Sequence, residues 1–143
     1  MKNVTPLTIR YAETDMMGVV YHANYLLYME DARTAFLEAL GIPYQTMEDA
    51  GFMSPVLSLE VNYGSPLRYG DKAVMVTWVS RSTAVKTVYN YAIFREGDDI
   101  ETSKPLFSGS STHCVVRRDS FEPVSIKREF PQLFEAYKRV LEE

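Results

Sequence analysis

One segment constrains this chain more than any other. Residues 24–40 carry apolar side chains at helical spacing. Tyr25, Tyr28, Met29, Ala32, Ala35, Phe36, Ala39 and Leu40 fall on one broad face, with Glu30, Asp31, Thr34 and Glu38 opposite. Asn24 stands where an N-cap is expected, and Gly41 followed by Pro43 is a stop signal. Such a helix needs a surface to bury its face, and the rest of the chain offers mainly strands. Residues 4–12 alternate weakly, with Leu7, Ile9 and Tyr11 on one side. Leu57, Leu59, Val61 and Tyr63 alternate with Ser58, Glu60 and Asn62, the pattern of a half-buried strand. Residues 72–80 are rich in Val, hold the only Trp and are apolar on both faces. Residues 86–95 alternate Tyr89, Tyr91 and Ile93 with Val88, Asn90 and Ala92, and Glu96 to Asp99 is a tight-turn signal. Residues 105–117 read as a last long strand with small residues in its middle, placing Cys114 in the core and His113 half-buried. A short helical or turn segment, 44–50, precedes the strands, and an amphipathic helix with Leu133, Phe134, Tyr137, Val140 and Leu141 starts near Pro131.

Between the four later strands there is no segment long enough for a helical crossover, so the strands pair antiparallel. The fold class is therefore α+β: one long helix packed on an antiparallel sheet of about five strands, plus a C-terminal helix. A helix of about 17 residues is only about 25 Å long and cannot cover such a sheet, so self-association is expected to supply the missing surface.

Composition narrows the function. The 143 residues, 46% hydrophobic and 24% charged, make a single domain spanning 1–143. A net charge of −4 does not suit a general nucleic-acid binder. The one cysteine forms no intrachain disulfide and no CxxC motif, and the two histidines, His22 and His113, form no HExxH. No GxSxG, Walker A or GxGxxG pattern occurs. Residues 1–10 lack the apolar core of a signal peptide and no run reaches transmembrane length, so a cytoplasmic protein is expected, with no membrane partner.

The irregular segment before the helix gathers chemistry: Glu13, Asp15, Gly18, Tyr21, His22 and Asn24 within twelve residues. Free N–H groups at a helix start can hydrogen-bond a carbonyl and stabilise the oxyanion formed on attack. A nearby carboxylate can be nucleophile or general base. Gly18 lets backbone approach a ligand closely. Taken singly, an Asp before a helix is more often a turn former, and a lone His more often a structural hydrogen-bonder. Glu30 reads as a solvated residue of the helix's polar face.

The whole segment says more than its parts. Thr14-Asp15-x-x-Gly18-Val19-Val20-Tyr21-His22-Ala23-Asn24-Tyr25 resembles the signature of the 4-hydroxybenzoyl-CoA thioesterase family, and especially its Tol–Pal-associated acyl-CoA thioesterase branch. Tyr28-x-Glu30-x-Ala32-Arg33, the Leu40-Gly41 helix end and the Tyr69-Gly70-Asp71 turn resemble it too. The resemblance implies the hot-dog fold, a long helix wrapped by a curved antiparallel sheet. It implies homodimers or tetramers with the site at the dimer interface, no metal or redox cofactor, and hydrolysis of acyl-CoA or acyl-acyl carrier protein thioesters. It maps the catalytic carboxylate onto Asp15, the carbonyl-polarising amide near Tyr21 and His22, and a functional histidine onto His22. Gly18 and Asn24 are then candidates for substrate binding. Tyr63 and Ser65, at the end of a strand, are candidates for the acyl pocket, and Lys86 best matches a phosphate-contacting position. The family's arginines beside it are Ala84 and Val85 here, which thins that patch. Arg81, Arg117 and Arg118 are further basic candidates. A hot-dog hydratase lacks support because no His-Phe-Pro motif occurs, and a non-catalytic acyl binder fits poorly with an intact Asp15. Covalent attack and water activation by Asp15 both remain open.

Overall fold

The computed structural model describes residues 1–142, and the last residue of the expected domain, Glu143, lies outside the described residues. In chain order the elements are β1 (Asn3–Thr8), a single 3-10 turn (Tyr11–Glu13), α1 (Asn24–Ala39), α2 (Tyr44–Asp49), β2 (Phe52–Met53), β3 (Val56–Tyr63), β4 (Lys72–Ser82), β5 (Thr87–Arg95), β6 (Phe107–His113), β7 (Val116–Arg117), α3 (Ile126–Glu129) and α4 (Pro131–Glu142). Five strands form one antiparallel sheet in the order β1-β4-β5-β6-β3, and β2 pairs with β7 in a separate two-stranded ribbon. The α+β architecture with its long helix and five-stranded antiparallel sheet is the one expected from the sequence.

The helix α1 buries Tyr25, Tyr28, Met29, Ala32, Phe36 and Leu37. These pack in one core with Ala73 and Met75 of β4, Tyr89, Tyr91 and Ile93 of β5, Phe107 of β6, and Leu133, Ala136, Tyr137 and Val140 of α4. Two positions differ from the expected face: Leu37 is buried and Ala39 exposed. The cause is the helix end. Gly41 adopts φ +79°, its N–H donates to Glu38 O (2.9 Å), and the Ile42 N–H donates to Leu37 O (3.0 Å). That is a Schellman turn, in which Leu37 and Ile42 are the residues that meet in the core. At the other end Asn24 is the first helical residue rather than the N-cap. Ala23 holds the cap position without a side-chain bond.

The opposite face of the sheet is also apolar around β4, as its sequence suggested. Val76, Ala92 and Phe94 are buried there beneath Val74, Trp78 and Ile100, and Lys2 lies over the Trp78 ring at 5.6 Å. The chain thus covers part of this face itself. A cluster of uncovered apolar residues lies on the flank of α1 and on β3, where Leu26, Leu27, Val56, Leu57, Leu59 and Tyr63 are exposed. The half-buried pattern expected of β3 is not met within one chain. It is an edge strand, paired only with β6.

Smaller corrections follow from strand ends. Tyr11 lies beyond β1 in the 3-10 turn, is exposed, and packs edge-on against Tyr69 at 5.7 Å. The last long strand breaks after His113, leaving Cys114 half-buried with its carbonyl bonded by Ser54 Oγ (2.9 Å). His113 is fully buried, where a half-buried residue was expected. Among the described residues, no helix is long and apolar enough to cross a membrane.

Candidate active site

Asp15 opens a tight turn. Its N–H donates to Val19 O (2.9 Å), its carbonyl accepts the Gly18 N–H (3.0 Å), and its Oδ1 accepts the Met17 N–H (2.9 Å). Gly18 supplies the left-handed φ of +75° that closes the turn. The bland reading of Asp15 as a turn former is therefore correct for one oxygen. The backbone amide of Met17 fixes the carboxylate's orientation, and Oδ2 carries no bond to the described residues. The turn is anchored on both sides: Thr14 bridges to Val20, and the Val20 N–H donates to Leu67 O (2.8 Å).

From Val20 the chain enters the helix within four residues. The Tyr21 N–H donates to Glu13 O (2.9 Å) and the Asn24 N–H to Tyr21 O (2.9 Å). The Tyr21 amide, one of the two expected to polarise a carbonyl, is thus occupied by the backbone. Among the described residues, the amides of His22 and Ala23 donate to no acceptor and have no side-chain cap. The available donors sit one residue further along than the motif suggested. Tyr21 contributes its ring instead, tilted against the His22 imidazole with centroids 4.4 Å apart. Both side chains are exposed.

Other expected residues divide cleanly. Tyr63 is brought to the site, and its Oη donates to His22 O at 2.8 Å. Its ring joins Tyr25 and Phe107, with centroid separations from 4.8 to 5.5 Å, as an aromatic floor beneath the helix start. Burial pushes the Tyr25 hydroxyl pKa up, so it stays neutral. Ser65 is exposed in the link between Tyr63 and Leu67, both of which bond to the site segment. The Asn24 side chain does not face outward; its Nδ2 donates to Glu13 O at 2.9 Å. Lys86 is not brought to Asp15 within the chain. It sits in the turn after β4, whereas the Asp15 turn adjoins Leu67, before β4 begins. The eleven residues of β4 separate these ends by about 33 Å of strand. Arg117 is engaged with Glu129, and Arg118 Nη1 reaches only Glu48 O at 3.4 Å.

The sequence reading noted Glu13 and Tyr28 without giving either a role at the site, and it missed Arg10 and Arg68. Glu13 binds Tyr28 and Arg10 beneath the turn, and Arg68 Nη1 would lie 3.8 Å from a Cβ at Gly18. A usable signal existed for Tyr28, which follows Asn24 by four residues and so shares its helix face. Arg68 had no such signal, because only folding brings residue 68 to residue 18. Among the described residues, no group of three His, Cys, Asp or Glu side chains gathers into a metal-donor set.

Comparison with known proteins identifies the family of the scaffold. The model of the thioesterase-like superfamily matches residues 9–134. A candidate acyl-CoA thioesterase of Bacillus subtilis (strain 168), YneP, is 41% identical over 133 residues, 93% of either chain. The chloroplastic acyl-acyl carrier protein thioesterase ATL3 of Arabidopsis thaliana is 34% identical over 93% of this chain and 67% of its own length. The crystal structure of a DHNA-CoA thioesterase from Staphylococcus aureus superposes with a TM-score of 0.89 at 38% identity, covering 97% of this chain and 90% of that one. A carboxylate turn laid against an uncapped helix start is thus carried on a hot-dog scaffold, and the chain belongs to the thioesterase-like superfamily.

Proposed function

We propose that this chain hydrolyses the thioester of an acyl-CoA to the free acid and CoA. The carrying observation is the pairing of an oriented carboxylate, Asp15, with the unoccupied amides of His22 and Ala23 at the start of α1. A thioester asks for little more. Its carbonyl is electrophilic and the thiolate leaves readily. Amide donors that meet the developing oxyanion lower the barrier most, and Asp15 attacks the carbonyl or activates water. His22, exposed beside the turn, bonds or orients the intermediate. Gly18 keeps the turn's backbone open to the substrate, and Tyr63 and Ser65 border the acyl group.

The site is completed by a second copy of the chain. Support comes from the exposed apolar flank of α1 and β3 and from the unpaired edge of β3. Strand β3 runs antiparallel to β4 and ends at Tyr63, at the Asp15 end of the sheet. A two-fold pairing of β3 with its copy inverts the partner. The partner's Lys86 end then lies level with this chain's Asp15 end, where its ammonium meets a CoA phosphate. Two such dimers stacked together give the tetramer that the family resemblance also allows.

Thiol release from short, long, branched and aromatic acyl-CoAs tests the reading, with Asp15→Asn as control. Asp15→Asn is expected to lose at least about a hundredfold in kcat. Wild-type rates in that variant, or no saturable hydrolysis of any acyl-CoA, sink it. A protein-borne substrate is the second reading, favoured by the ATL3 likeness. Parallel rates on acyl-CoA and acyl-acyl carrier protein decide between them.

A further inference from the structure

Glu13 keeps a carboxylate largely inside the protein, 14% exposed, and that charge has no part in the hydrolysis above. Oε1 accepts the Tyr28 Oη–H (3.0 Å) and the Arg10 N–H (2.9 Å), and Oε2 meets Arg10 Nε at 3.2 Å. A buried charge is costly unless its oxygens are bonded. Burial pushes the Glu13 pKa up, but the Arg10 amide, the Tyr28 hydroxyl and the Arg10 guanidinium outweigh it and hold the carboxyl below its ordinary value. The group is therefore ionised and fixed. The backbone of the same residue is engaged as well, since its carbonyl accepts both the Tyr21 N–H and Asn24 Nδ2 at 2.9 Å.

These bonds converge from three directions. Glu13 lies two residues before Asp15, on the arm of the carboxylate turn. Tyr21 flanks the free amides on one side, and Asn24 flanks them on the other. Tyr28 is one helical turn beyond Asn24 on the same face. The carboxylate of Asp15 and the amides of His22 and Ala23 are thereby located relative to each other through one residue. A misplacement of about 1 Å between reacting groups costs about a hundredfold in rate.

We infer that Glu13, held by Asn24 and Tyr28, is a positioning residue that sets the Asp15 carboxylate against the amides at the start of α1. The inference rests on the thioesterase reading above. Steady-state kinetics on an acyl-CoA that the wild type hydrolyses test it, with thermal melting of each variant. Tyr28→Phe and Asn24→Ala are expected to lower kcat by about ten- to a hundredfold while KM stays within about twofold. Glu13→Gln keeps an acceptor oxygen for Tyr28 and is expected to retain more kcat than Glu13→Ala. Adding Tyr28→Phe to Glu13→Ala is expected to cost nothing further, because the shared bond is already gone. Tyr28→Phe keeps the ring and its packing, so folding is preserved for the decisive measurement. Full kcat in Tyr28→Phe and Asn24→Ala, with Asp15→Asn still inactive, overturns the positioning role alone, as does a purely additive double variant. An inactive wild type overturns the thioesterase reading and this inference with it.

Discussion

His113 is held in a defined state at the inner end of a run of hydrogen bonds. Arg33 Nη1 donates to Tyr91 Oη (3.0 Å), Tyr91 Oη lies 2.7 Å from Ser111 Oγ, and Ser111 Oγ lies 2.7 Å from His113 Nε2. Arginine only donates, and bonds running onward from it leave no hydroxyl proton in this series without an acceptor. In that fully paired arrangement the Tyr91 hydroxyl donates a hydrogen bond to Ser111 Oγ, the Ser111 hydroxyl donates to His113, and Nε2 is an acceptor. Burial, and then the Arg33 charge, push the His113 pKa down to about 3 from 6.5. The folded protein therefore binds the proton later than the unfolded chain does. Above pH 6.5 both forms are neutral and His113 contributes no pH dependence. As pH falls below 6.5, the unfolded chain gains a proton that the folded one refuses, and stability declines until about pH 3. Between pH 6.5 and 5 this amounts to about 2 kcal/mol at most. Urea melts at these two pH values are expected to show that loss in the wild type and a smaller one in His113→Gln. Equal losses would show that the imidazole is protonated in the folded state. Only the Ser111–His113 step, two residues apart on one face of β6, was legible in sequence; Tyr91 joins through the sheet register and Arg33 through the packing of α1 on the sheet. Asp15 and His22, by contrast, sit in one continuous motif and could be read directly.

At the scale of elements, legibility follows the length of the periodic signal. The 16 residues of α1 repeat their pattern often enough to be found, and Gly41 marks their end. The ribbon of β2 with β7 and the four-residue α3 are too short to have a period, and they exist because the tertiary fold pairs them. Leu57 and Leu59 alternate as a buried strand would, yet both are exposed, because β3 is an edge strand paired only with β6. Two glycines separate fold from function at this scale. Gly41 and Gly18 have φ of +79° and +75°, and a Cβ added at either meets no atom nearer than 3.8 Å. Each alanine variant then costs backbone strain alone, about 1 kcal/mol. Both are expected to melt lower by similar amounts. Only Gly18→Ala, which distorts the turn carrying Asp15, is expected to lose kcat. A comparable kcat loss in Gly41→Ala would mean that the helix end, not the turn, governs the site.

At the scale of the whole molecule, the proposed site draws on both ends of the sheet. The carboxylate turn is at one end of the sheet, and Lys86, the cation proposed to meet a CoA phosphate, is at the other. No motion inside a β-sheet closes about 33 Å of strand. If the proposed two-fold pairing of β3 is correct, each site takes Asp15 from one chain and the partner's Lys86, and this arithmetic can be measured. Asp15→Asn lacks the carboxylate, and Lys86→Ala binds acyl-CoA weakly. In a mixed dimer, one site combines both defects. The other combines an intact Asp15 with an intact Lys86. When equal amounts of the two variants exchange subunits at random, half the dimers are mixed and about a quarter of all sites are whole. At an acyl-CoA concentration too low for Lys86→Ala to bind well, activity is expected to rise on mixing toward about a quarter of wild type. If Lys86 served its own chain, every site would keep at least one defect and mixing would restore nothing. Leu59→Glu supplies the complementary control. A charge on the exposed apolar face of β3 should leave melting nearly unchanged, reduce the sedimenting mass to that of one chain, and abolish recovery on mixing. Full recovery by a monomeric Leu59→Glu protein would place the entire site within 143 residues, against the separation that β4 imposes.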